Sequence, residues 1–171
     1  MSGTWDTFRD TVAAEFSDVP DAEQFIRIVL RLSIAALLGG LLGLEREHKG
    51  KAAGVRTHML VSMGAAMFVL AAQQAGIDPA DNSRVLQGII AGVGFLGAGT
   101  ILKGDADSQD KGLTTAAGIW LTAAIGVAAG LGLEFTALLA TGLALLIFWA
   151  IPLLQTVIQG KGDDAPPSAK D

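Results

Sequence analysis

The chain has 171 residues, a net charge of −5, no cysteine and two histidines. It is 51% hydrophobic with a mean hydropathy of +0.49, which belongs to membrane proteins rather than soluble cores. Without cysteine there is no disulfide, thiol catalysis or Cys-ligated zinc. His48 and His58 alone do not make a His-rich metal site, and the acidic balance leaves no basic domain for nucleic acid.

Residues 1–22 come first. Trp5, Phe8, Val12, Phe16 and Val19 recur at helical spacing, with Asp6, Asp10 and Asp18 opposite. The spacing predicts an amphipathic helix that lies on the membrane surface or packs against a bundle. Asp6, Asp10 and Glu15, with no basic start, do not fit a cleaved signal peptide. Val19-Pro20-Asp21 breaks this helix.

The first span, from Gln24, is the unusual one. Its uncharged run is only Leu32 to Leu44, thirteen residues. At 1.5 Å per residue that covers about 20 Å, short of the roughly 30 Å hydrocarbon core. Charge therefore enters the bilayer, either as Arg27 and Arg31 or as Glu45 to Glu47. Arg27 and Arg31 can snorkel to the headgroups or find partners inside the protein. Glu134 and Asp78 lie towards the same side as Arg31.

Four charge-free runs follow, Thr57 to Ile77, Val85 to Leu102, Gly112 to Leu133 and Phe135 to Gly160. Residues 23–160 thus read as an all-α, five-helix membrane domain, and 161–171 as a disordered tail. Arg46, Lys49, Lys51, Arg56, Lys103, Lys111, Lys161 and Lys170 fall on one side; Arg9, Arg27, Arg31 and Arg84 fall on the other. The excess of basic residues places the first side in the cytoplasm, giving N-terminus out and C-terminus in.

Small residues suggest how the helices meet in lipid. Gly88, Gly92 and Gly99 share one face of the third span, with Gly94 and Gly97 nearly opposite. Two bare faces predict that this span sits in the middle of the bundle. Thr115, Gly118, Thr122 and Gly126 form a stripe on the fourth span, and Ala36, Gly40 and Gly43 one on the first. Such faces also suit a homo-oligomer or a membrane partner. Gly92-Val93-Gly94-Phe95-Leu96-Gly97 matches a dinucleotide fingerprint, but it has no preceding strand and Ala117 stands where an acid is needed.

Glu45, Arg46, Glu47, Arg56 and Thr57 crowd the end of the first two spans. Glu45 and Glu47 are the candidate ligands for Mg²⁺, yet on a straight helix they diverge by roughly 160°. A salt bridge from either carboxylate to Arg56 is the alternative. Asp105, Asp107 and Asp110 lack the glycine and final Glu of a calcium loop. Thr114 and Thr115 can cap the fourth span. No nucleophile–base pair stands out, so the chain is not expected to be an enzyme or to need a cofactor.

Gly43-Leu44-Glu45-Arg46-Glu47, Ala53-Gly54-Val55-Arg56-Thr57, Gly92 through Gly99, Gly112-Leu113-Thr114-Thr115, and Trp120 with Ala123 and Gly126 resemble the MgtC/SapB family over about residues 25 to 155. The resemblance implies a multi-pass bacterial inner-membrane protein linked to growth in low magnesium and, in pathogens, to survival in macrophages. It implies restraint of a membrane partner such as the F-type ATP synthase, or magnesium transport; the short uncharged run around Arg31 and Glu45 would put the polar path of a magnesium or other cation transporter at the first helix. The chain is expected to resemble the short SapB-type members, without the C-terminal ACT-like domain of the longer ones.

Overall fold

The computed structural model describes residues 2–19, 21–78, 80–102 and 109–160. It contains six helices: α1 (Ser2–Glu15), α2 (Ala22–His48), α3 (Val55–Gln74), α4 (Asn82–Leu102), α5 (Gln109–Leu131) and α6 (Glu134–Gly160). Five of them, α2 to α6, are long and apolar enough to cross a membrane. The Lys103–Lys111 loop with its three aspartates and the tail 161–171 lie outside the described residues and side chains.

Among the described residues α1 makes no contact with any other helix. Trp5 and Phe8 meet edge to face at 6.0 Å between ring centroids, and both are exposed. Arg9 pairs with Asp6 and Asp10 on the polar side. Among the described residues no other helix covers its apolar stripe, so the alternative of a helix packed against the bundle is corrected.

Three helix ends share one device. α2 closes with Lys51 N donating to Arg46 O and Gly50 N to Glu47 O, with Gly50 at φ +62°. α3 and α5 end the same way at Gly76 (φ +69°) and Gly132 (φ +81°). This pairing satisfies the last carbonyls and needs a left-handed residue, hence glycine.

α5 is the centre of the bundle, since it touches α2, α3, α4 and α6. Its Thr115, Gly118, Thr122 and Gly126 face inward, while Trp120 is half exposed. The expectation that the third span is central is corrected. α4 contacts only α3 and α5, and Gly88, Gly92, Gly94 and Gly99 have nothing within 4 Å of an added Cβ. Gly97, against Ala116, is the exception. Glycine permits close approach but does not say which element approaches.

The tight contacts lie elsewhere. A Cβ on Gly39 would come 2.5 Å from His58 O, and one on Gly43 would come 2.6 Å from Val55 Cα. Gly40 faces Met59. Gly126 and Gly130 of α5 lie against the α3 backbone at Ser62 and Ala66. Around these contacts Ala35, Leu38, Leu42, Ala66, Ile125 and Ala129 form a closed core.

Candidate functional site

Two polar layers flank that core. The first is built on Arg31, one residue before the uncharged run begins. Its Nη1 donates to Gln73 Oε1 on α3 (3.1 Å) and to Gly130 O at the end of α5 (2.9 Å). Its Nε lies 3.9 Å from Glu134 on α6. One guanidinium therefore ties four helices together and places positive charge at the carbonyl end of α5, where the helix dipole favours it. Gly132 lets the guanidinium come close, since a Cβ there would run into it. Arg31 does not snorkel, and its acidic neighbour is Glu134 rather than Asp78. Arg27 behaves differently: it stays half exposed and pairs with Glu23 one turn back at 2.5 Å.

The second layer forms where α2 ends. Arg46 is 4% exposed although it lies near the end of a helix. It pairs with Glu45, and its Cζ lies 3.7 Å above the Phe148 ring of α6. A desolvated guanidinium over an aromatic face gains from the ring quadrupole as well as from the carboxylate. Glu45 and Glu47 diverge, as their spacing requires. Glu45 turns to Arg46, and Glu47 Oε2 accepts from Val55 N at 2.9 Å. Glu47 thereby caps α3, a task that Gly54 at the N-cap has no side chain to perform. The expected salt bridge to Arg56 is corrected: Glu45 and Glu47 take Arg46 and Val55 N, and Arg56 and Thr57 face outward. Among the described residues no group of three His, Asp or Glu could hold a metal ion. Glu47→Ala should cost about 1 kcal/mol by removing this cap, read as a lower unfolding midpoint in detergent.

Sequence reasoning passed over His58 and Ser62. Both are fully buried on α3. His58 Nδ1 lies 3.0 Å from Gly54 O, and a carbonyl only accepts, so Nδ1 carries the proton. Nε2 has no partner among the described residues. It points towards Gly118, where a Cβ would be 3.7 Å from both Nε2 and Phe148 Cζ. Ser62 Oγ and Glu45 Oε1 also lack partners. The signal was available: an ionisable residue inside an apolar span is a functional candidate by default. On α5, Thr115 is buried, Thr114 is exposed, and Thr122 bonds back to Gly118 O at 2.8 Å.

A cavity of about 830 Å³ opens beside this layer, between the end of α2 and the α5–α6 groove, lined by Arg46, Lys49, Lys51, Thr114, Gly118 and Phe148 among others. A smaller one of about 280 Å³ at the other end is lined by Arg27, Arg31 and Gln73. The two share no lining residue.

The family model described as "MgtC family" matches residues 32–157, a stretch that contains the whole Arg46–His58 layer. The chain belongs to the MgtC family. It is 39% identical over 168 residues to the protein SrpB of Synechococcus elongatus, covering 86% of this chain and 92% of SrpB. It is 41% identical over 129 residues to YhiD of Escherichia coli K12, named as a proposed magnesium transporter, and 41% identical over 131 residues to MgtC of Salmonella typhimurium LT2. The chain spans 58% of YhiD and 54% of that MgtC, little over half of the longer relatives. No solved structure matches. In this MgtC-family chain the match begins one residue after Arg31 and leaves α1 outside.

Proposed function

We propose that this protein serves magnesium homeostasis or adaptation to low magnesium in a bacterial inner membrane, as a non-enzymatic regulator that binds a membrane partner. Family membership and the magnesium-related name of YhiD support the physiological setting. The F-type ATP synthase is the partner that the family resemblance suggests.

The observation that carries the regulator reading is the closed packing between the two polar layers. Arg31 and Arg46 stand fifteen residues apart, about 22 Å along α2. Between them lie Ala35, Leu38, Gly39 and Leu42, all buried and packed against α3 and α5. An ion would have to separate helices that touch backbone to backbone. A partner helix, in contrast, has a ready surface. A groove of about 630 Å³ between α3 and α4 is lined by Gly64, Gly88, Gly92, Val61, Phe68 and Ile89. Small residues there allow close approach in lipid.

Gly92→Leu fills that groove without touching the bundle core. The expected outcome is loss of the crosslinked partner band with normal expression and an unchanged unfolding midpoint. An unaltered crosslinking and native-gel pattern would refute the partner surface.

A cation transporter is the second reading, favoured by the buried Glu45 Oε1 and His58 Nε2 of the second layer, which have no partner among the described residues. In that reading Glu45→Gln abolishes transport.

A further inference from the structure

We propose that the cavity beside Arg46 binds the headgroup and upper chain of an anionic phospholipid from the surrounding leaflet. The inference is independent of whether the protein regulates or conducts.

The end of α2 builds the basic part. The Gly50 turn sets Lys49 and Lys51 on either side of a left-handed residue, directly over the Arg46 carbonyl that Lys51 N occupies. Arg46 is spent largely on Glu45 and Phe148, but neither lysine has an acidic partner among the described residues. Among the described residues no carboxylate lines the cavity. Burying this mouth under a neutral group would leave two ammonium groups uncompensated; a phosphate supplies the opposite charge.

Below the mouth the walls turn apolar. Leu121 of α5 and Ile147 of α6, which lie on the bilayer side of the Arg46–Phe148 level, line the lower part, and Ile151 lies beside the mouth. Ile147 and Ile151 are both about half exposed, so the cavity opens sideways to the acyl region rather than into the bundle. Basic groups at headgroup depth above an apolar cleft match an amphiphile that is charged at one end, and not a free ion. The excess of basic residues assigns this end to the cytoplasmic side, where anionic lipids concentrate and each lysine contributes to holding them.

The test uses the full chain in mixed micelles of equimolar phosphatidylglycerol and phosphatidylcholine, read by native mass spectrometry. The wild type should retain one phosphatidylglycerol per chain in preference to phosphatidylcholine. The double variant Lys49→Gln/Lys51→Gln should weaken that retention by roughly 30-fold. Ile147→Trp, which keeps every charge and fills the apolar wall, should weaken it too. Arg84→Gln, an exposed charge at the opposite end, should leave it unchanged. Equal retention of the two lipids by the wild type, or undiminished retention by the lysine variant, overturns the site. Displacement of the lipid by millimolar inorganic phosphate would assign the lysines to a free anion and overturn it as well.

Discussion

Arg31→Met should destabilise the protein by about 3 kcal/mol, the largest loss expected from any single side chain on α2. The guanidinium satisfies Gln73 Oε1 and Gly130 O and lies beside Glu134, and its side chain is only 15% exposed. Removing it leaves an amide oxygen and a helix-end carbonyl without their donor, and a carboxylate without its neighbouring positive charge, at the edge of an apolar core. Breaking a buried charge pair from one side costs about 3 to 5 kcal/mol, and partial exposure of Glu134 puts this case at the lower end. Arg31→Lys should recover part of the loss, because a single ammonium cannot span contacts on α3, α5 and α6 together. Glu134→Gln should cost under about 1 kcal/mol, since that carboxylate is itself 35% exposed and its contact long. Unfolding midpoints in detergent check the series. Wild-type stability in Arg31→Met would mean that the four-helix tie does not form.

Gly126→Ala should be comparably damaging, at about 3 kcal/mol, although it adds a single methyl group. That methyl would overlap the Ser62 carbonyl, and backbone cannot rotate away as a side chain can. α3 and α5 would have to part, opening the core around Ala66 and Ile125. Gly92→Ala is the matched control: it adds the same methyl into open space and should lose nothing. Equal midpoints for the two variants would show that α3 and α5 do not pack this closely.

The five spans were legible because apolar runs of this length have few alternatives. The first span's short uncharged run pointed to charge entering the bilayer at Arg27 and Arg31 or at Glu45 to Glu47, but not to which side chain is paired. The partners themselves were not legible: Gly130 lies 99 residues away, and its carbonyl has no sequence signature. The Thr115–Gly126 stripe faces the interior as its spacing implies, but the glycines of the third span misplaced α4. Glycine frees a face, and the same pattern serves a helix buried in the bundle and one left open at its edge. The Glu45 and Glu47 divergence followed from helix geometry, whereas Glu47 capping α3 depends on a loop whose course no local pattern dictates. His58 was overlooked because it was judged as a metal ligand only.

Magnesium entry into proteoliposomes, followed with an internal indicator dye, tests the closed-bundle account most directly. The chain should be shown folded by its unfolding midpoint, and Glu45→Gln should run beside it. A closed core predicts no entry above that of empty liposomes for either protein. Entry by the wild type that disappears in Glu45→Gln would contradict it, and would place an ion path through the layer of Glu45, Arg46 and His58.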